Sequence, residues 1–468
     1  MTDVNLINVN KREIKTSLLK YVLSSVAAMW VFTIYTMVDG MFVAKGVGLD
    51  ALAAVNISMP FVNLSFGLSI LFGIGASTRA SVYKGQGKYK DADKVFTESI
   101  LTVLVLSVIV SVVALFNLER LAYLLGATDV TIEYVKDYLG ILLLFEICYM
   151  TGYALEVMVK ADGYPHKAIF IPLIGAVCNI GLDYVFIFHF DWGIAGAAWA
   201  TGASQLVSFL LFAHHFFSKK SGFKFIRIKW NLRDALHTAK LGVSDCVTEL
   251  SMAAVIFLFN NVLLRISGED GVAIYTVISY VSQLILMTMV GLNQGMQPLV
   301  SYYFGKGEYA TQRYILRLSM KTAVFFSVLA FAIGVTYPDP VVSMFIDPAE
   351  DGELFLHGVA AFKMFSFSFL PLGVVVVISG YFTALEIAKN AMVISVARGL
   401  VFVTLSLFVM TFLLGETGVW LSMAVSETMS LILAITLYKA RKSNIKRAEL
   451  KSLLTLSFST NKTAGSFS

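Results

Sequence analysis

The sequence predicts an all-α polytopic membrane protein: twelve transmembrane helices in two six-helix lobes related by a pseudo-two-fold axis. Three observations predict it, namely an apolar composition, an alternation of basic charge between successive loops, and an internal repeat in which the second half of the chain echoes the first.

Composition comes first. The chain of 468 residues is 57% hydrophobic and only 14% charged, with a mean hydropathy of +0.76, whereas a soluble domain carries roughly 25% charged residues. A bilayer span needs about 20 mostly apolar residues, so twelve spans require roughly 240, close to the supply. Hydrophobic runs between charged or Gly/Pro-rich breaks place spans near 17–43, 52–82, 95–117, 131–157, 168–189 and 194–217. A second set falls near 236–264, 273–303, 315–337, 355–384, 393–414 and 419–438. The expected organisation is an N-terminal lobe at 1–217, a linker at 218–235, a C-terminal lobe at 236–438 and a tail at 439–468.

Charge sets the orientation. One set of loops collects Lys84, Lys88, Lys90 and Lys94, then Lys160 and Lys167, then the basic 218–235 stretch and the C-terminal KARKSNIKR run. The opposite set holds little beyond Lys45, Arg120 and Arg265, with acidic runs at 268–270 and 347–353. The positive-inside rule then places both termini and the linker in the cytoplasm. The N-terminal segment lacks a small-residue cleavage site and reads as a lead-in to the first span. The net charge of +5 is sorted by loop and forms no single basic patch, which argues against nucleic acid. Three isolated cysteines, Cys148, Cys178 and Cys246, exclude a disulfide framework. No GxxxxGK[ST] phosphate loop occurs, the six histidines lack ligand spacing, and neither an enzyme activity nor a cofactor is expected.

The repeat is carried by one loop motif. SVYKGQGKY at 81–89 matches SYYFGKGEY at 301–309, so Ser81, Tyr83, Gly85, Gly87 and Tyr89 recur as Ser301, Tyr303, Gly305, Gly307 and Tyr309. Gly75 falls on Gly295, and Gly193 and Gly196 fall on Gly415 and Gly418. Because six is even, both halves enter the membrane in the same direction, and their symmetry axis runs along the membrane normal. The 218–235 loop is then a tether, and the cleft between the halves is where a solute would bind.

Ionisable residues inside spans are costly and face a polar interior. Asp39 lies in the outer half of the first span; Asn179 and Asp183, spaced i, i+4, share one face of the fifth. These three are the candidate ion-coupling site, able to hold a shared proton or a cation such as Na+. When the halves are aligned on the repeat, Asp39-Gly40 falls on Asn260-Asn261, and Asp183 has no acidic counterpart near Val403–Thr404. Such a site therefore belongs to the N-terminal half alone. Glu249, with Asp245 one turn away, is the candidate second site. Glu146, Glu156 and Glu427 read as structural acids, paired or near helix ends. Tyr35, Phe61, Tyr138, Met287 and Met289 are candidates for an adaptable cavity that takes flat organic cations.

Several stretches resemble the MATE family, the multidrug and toxic compound extrusion transporters. The most specific is residues 162–205, DGYPHKAIFIPLIGAVCNIGLDYVFIFHFDWGIAGAAWATGASQ; others are 36–61, 73–89 and 295–309. The likeness covers nearly the whole chain and is strongest to the bacterial drug-export branch. It implies a bacterial cytoplasmic membrane protein, acting as a single copy. Proton or sodium influx would drive export of cationic, often aromatic, small molecules by alternating access. It also implies that Asp39, Asn179 and Asp183 carry the ion, with Tyr138 and Thr201 or Ser204 nearby. Glu249 matches a seventh-helix acid of the sodium-coupled branch, but the expected tenth-helix acid is missing. The first span lacks a proline, so bending around one cannot be carried over. A lipid-linked saccharide flippase of the same wider superfamily is the alternative; it would need a basic central cavity, for which Arg398 is the first residue to test.

Overall fold

The computed structural model describes residues 2–464, with side chains for 11–441; the last four residues of the expected tail lie outside the described ones. The first half comprises α1 (Thr2–Gly46), α2 (Leu49–Gly85), α3 (Tyr89–Phe116), short α4 (Leu118–Leu125), α5 (Ile132–Leu144), α6 (Glu146–Ala161), α7 (Lys167–Asp183) and α8 (Gly193–Phe217). The second half repeats the order with α9 (Leu232–Ile266), α10 (Gly268–Gly305), α11 (Tyr309–Thr336), short α12 (Pro338–Val342), α13 (Gly352–Phe365), α14 (Phe369–Ala384), α15 (Ala388–Val396), α16 (Val403–Leu414) and α17 (Glu416–Ala464). Among the described residues, eleven stretches are long and apolar enough to cross a membrane, and α5 with α6, bent by 54°, makes the twelfth if the pair is one span. Exposed side chains such as Leu124, Phe116 and Phe412, over four-fifths accessible, suit a hydrocarbon surround but not water.

The loop motif found in sequence turns out to be a helix stop used twice. Gly87 (φ +76°) and Gly307 (φ +78°) take the left-handed conformation that ends α2 and α10. Behind them Lys88 N–H donates to the Tyr83 carbonyl at 2.9 Å, and Glu308 N–H to that of Tyr303 at 3.0 Å. The two turns meet across the symmetry axis. A side chain on Gly85 would strike the backbone of Tyr302, and one on Gly305 the backbone of Val82, residues that themselves hold equivalent places in the repeat. Gly75 lies as closely on the Thr238 carbonyl, and Gly295 on Tyr21 and Val22. These contacts close the end of the bundle that carries the 218–231 connector.

The packing of α1 and α9 crosses between halves. Ile14, Leu18 and Val22 at the start of α1 belong to a core with Met289, Leu292 and Met296 of α10 and Leu372 and Val376 of α14. Val43, near the end of the same helix, packs with Ala51 and Ala54 of α2 and Ala197 of α8. In the repeat, Cys246 of α9 packs with Ile70 and Ile74 of α2, while Phe259 and Leu263 join Ile274 and Trp420. Each half therefore lends one end of its first helix to the other.

The connector is anchored along its length to the first half. The buried Asp162 carboxylate accepts from Lys84 Nζ (2.8 Å), His215 Nε2 (2.9 Å), Ser221 Oγ (3.1 Å) and the Gly222 N–H (3.0 Å). Phe223 is fully buried against Phe96, and Lys84 Nζ sits 3.4 Å from the centre of its ring. Lys224, Ile226 and Asn231 then donate backbone N–H groups to Asp93, Thr97 and Glu98 of α3. Polar spacing on α3 and aromatics in the connector thus strap it to the first half. Asn231 also caps α9 by accepting from the Arg233 N–H at 2.9 Å.

Candidate functional site

A cavity of about 1230 Å³ occupies the half of the bundle remote from the connector. Its walls come from the second part of α1, the first part of α2, the α5–α6 bend, α8, α9, α10, α14 around Ser379 and the helical stretch around Arg398. Its carboxyl and basic lining among the described residues is Asp39, Glu146, Asp245, Glu249 and Arg398: four acids and one base.

In the first half, Asp39, Asn179 and Asp183 come together although they belong to the first and fifth spans of the sequence. All three are at least nineteen-twentieths buried. Asn179 Nδ2 donates to Thr201 Oγ1 at 3.3 Å, and Thr201 Oγ1 donates to Asp39 Oδ1 at 3.5 Å. The Asp183 carboxyl abuts that of Asp39, and neither Asp183 oxygen nor Asn179 Oδ1 receives a donor from the described residues. Two adjoining carboxyls with unfilled lone pairs and no basic partner call for a positive charge between them.

Local helix geometry makes the cluster. The i, i+4 spacing of Asn179 and Asp183 puts both on one face of α7. Pro172 sits inside that helix without ending it. The break comes after Asp183, where a six-residue π-helical stretch, Tyr184–His189, begins. Such wide turns re-aim side chains and recur at functional sites. The site also includes a neighbour that sequence reading passed over, Gln205, whose Nε2 donates to the Tyr35 hydroxyl at 3.4 Å. Its i, i+4 spacing from Thr201 on α8 was the available signal.

The other candidates divide. Tyr35, Phe61, Tyr138, Thr201 and Met287 line the cavity. Met289 does not: two residues further along a helix the face has turned away, and its side chain is fully buried in the α10–α14 core. Ser204 is likewise withdrawn; its Oγ donates to the Thr201 carbonyl at 2.8 Å, and it borders a separate void of about 70 Å³. Asp245 and Glu249 both face the cavity. Asp245 accepts from Asn293 Nδ2 (3.3 Å) and Gln297 Nε2 (3.2 Å), while the described residues place no hydrogen bond on the Glu249 carboxyl. Among the acids read as structural, Glu156 pairs with Lys160 at 3.1 Å and Glu427 with Arg398 at 2.7 Å. Glu146 forms no salt bridge among the described residues and sits at a helix end, as the first residue of α6.

Comparison with known proteins fits this arrangement. The MatE family model matches residues 25–185 and 246–409. The chain belongs to the MatE family. The match takes in Asp39, Asn179, Asp183 and Glu249, and bears out the resemblance seen in the sequence. The multidrug export protein MepA of Staphylococcus saprophyticus subsp. saprophyticus is 28% identical over 407 residues, 85% of this chain and 88% of that one. MepA of Staphylococcus haemolyticus is 25% identical over 446 residues, 93% and 95% of the two chains. Among solved structures, the outward-facing conformation of a multidrug resistance MATE family transporter superposes with a TM-score of 0.86 at 22% identity, covering 93% of this chain and 97% of its own. A transporter of the MOP superfamily from Pyrococcus furiosus, described with a binding pocket of reverse polarity, gives 0.83 at 22% identity over 92% and 97%. At that identity the likeness establishes the shared fold. The MatE family thus accounts for the bundle, its repeat and its membrane setting.

Proposed function

We propose that this chain is a secondary active antiporter that exports organic, often aromatic, cations in exchange for protons or sodium by alternating access. The observation that carries the reading is that one residue serves both tasks. Asp39 belongs to the buried carboxyl pair and also lines the solute cavity. A proton or Na+ on the pair removes negative charge from the cavity wall and disfavours a bound cation; its loss restores the charge. Thr201, Asn179 Oδ1 and the two carboxyls supply oxygen ligands of the kind Na+ takes, and the carboxyls supply a proton site. Both ions therefore fit.

With the termini and connector in the cytoplasm, as the loop charges indicate, the glycine contacts seal the cytoplasmic side and the cavity faces outward. The drug-export names of the relatives support this direction of transport. The flippase alternative is not favoured. Arg398 is the one basic residue in the cavity wall among the described residues, and Glu427 already takes its charge at 2.7 Å.

Dye efflux from everted membrane vesicles, with a pH gradient and a sodium gradient imposed separately, tests the proposal. Uphill movement of ethidium driven by at least one gradient is expected. A response to neither sinks the antiport reading.

A further inference from the structure

One acid in the cavity wall is left without a task by the coupling site. Glu146 stands at the bend between α5 and α6, as the first residue of α6. The bend is built in: the chain turns at Phe145, and Ser111 Oγ donates at 2.6 Å to the Leu143 carbonyl, satisfying an oxygen that a continuous helix would have bonded. This breaks the helix at cavity depth and directs Glu146 into the lumen. Its side chain is nineteen-twentieths buried and lines the cavity, yet one carboxyl oxygen has no hydrogen-bond partner. No Lys, Arg or His among the described residues forms a salt bridge with it. The start of α6 favours negative charge but supplies no counter-ion.

The surroundings suit a flat cation. Tyr149, one turn along α6, lies beside Phe66 with ring centres 6.1 Å apart, and Phe66 stacks on Phe32 at 5.8 Å. All three rings face the same cavity and form an aromatic wall next to Glu146. From the second half, Glu249 lines the same cavity. An aromatic wall ending in an unpaired carboxylate attracts a delocalised cation by stacking and charge together. A carboxylate buried without a partner costs free energy until such a ligand arrives.

We propose that Glu146 is the counter-ion of the transported cation, in a subsite walled by Phe32, Phe66 and Tyr149 and separate from the Asp39–Asn179–Asp183 cluster. The inference rests on the cation-export reading and adds to Asp39, which feels both the ion and the cargo, a carboxyl that serves the cargo alone. Glu146 then sets the preference for charged over neutral aromatic solutes, while Asp39 and Asp183 set the energy source.

The test is equilibrium binding of N-methylacridinium and of uncharged acridine at pH 8, followed by ligand fluorescence, to the purified full-length protein in detergent. The two probes share a ring system and differ in charge. Glu146→Gln is expected to weaken N-methylacridinium binding at least tenfold and to leave acridine binding within twofold. Glu146→Asp, which keeps the charge but retracts it by one methylene, is expected to weaken the cation only a few-fold; it carries the test if the Gln variant does not fold. Unchanged cation binding in either folded variant overturns the subsite, and so does an equal loss of both probes. Wild-type protein that binds acridine but not its N-methyl cation overturns the cation-export reading together with the subsite.

Discussion

The two halves share a scaffold and differ in what they do with charge inside it. In the first half, Asp39, Asn179 and Asp183 leave carboxyl and amide oxygens unfilled. In the second, the equivalent positions of the repeat hold Asn260, Leu400 and Thr404. Of the charged groups inside that half, Asp245 and Glu249 face the cavity, and Arg398 is bonded through Nε to Glu427 at 2.7 Å. Both arrangements use a widened helical turn: Asp183 precedes the π stretch Tyr184–His189, and Arg398 lies within another, Ala397–Phe402. The two widened turns fall at different places in the repeat, and the first half brings two carboxyls together where the second joins a carboxylate to a guanidinium. An internally neutralised pair holds structure; an open pair can load and unload an ion.

This contrast is easiest to break at the open pair. Asp39→Asn and Asp183→Asn should each abolish gradient-driven ethidium efflux from vesicles while leaving the purified protein folded by its thermal unfolding profile. Normal efflux in both would remove the asymmetry. Adding Asn260→Asp to the Asp39→Asn protein should restore nothing, since Leu400 and Thr404 offer no second carboxyl; recovery would make the halves interchangeable.

At the closed pair the effect should appear in stability. Glu427→Gln leaves a buried guanidinium without its counter-charge, a loss of about 3–5 kcal/mol, readable as a fall in unfolding midpoint in detergent. The double variant Glu427→Gln, Arg398→Gln should recover much of it, because the penalty lies in the unpaired charge.

The symmetric contact makes a sharper, smaller test. Gly85→Leu and Gly305→Leu should each wedge the connector-side closure and lower efflux by about tenfold, on the order of 1.4 kcal/mol, and by similar amounts. A large difference between them would mean that the two turns do not bear on one another equally. Thr201→Val removes one relay hydrogen bond worth about 1 kcal/mol and should reduce efflux about fivefold. A Thr201→Ser variant should restore it.

Much of this was legible in the sequence for definite physical reasons. Apolar runs and loop charges are set by the bilayer, so span number and repeat could be read directly. The loop motif stood out because Gly87 and Gly307 must be left-handed, and Gly85 and Gly305 must be bare. Asp39 and the Asn179–Asp183 pair showed because acids at bilayer depth are rare and i, i+4 spacing is diagnostic. What escaped depended on orientation or on partners. Met289 differs from Met287 only in helical phase. The role of Glu146 hangs on a bend at Phe145 that no proline or glycine announces, and on a base that is missing. The strapping of the connector was hidden because its anchor, Asp162, lies two spans before it.

The exchange of helix ends between halves carries a mechanical consequence. The start of α1 is held in the second half by Met289, Leu292 and Met296, and its end in the first by Ala51, Ala54 and Ala197. The start of α9 is clamped to the first half, where Arg79 donates to the Asp234 carbonyl at 2.9 Å and to Thr238 at 2.8 Å; its end is held in the second by Ile274 and Trp420. Any rocking of one half against the other must therefore flex these two levers between their anchorages. In α1 the span between anchorages, Val22 to Val43, contains Tyr35 and Asp39; in α9 the span from Cys246 to Phe259 contains Glu249. The bending moment is delivered to the stretches of chain that carry the acids, and a helix without proline can transmit it.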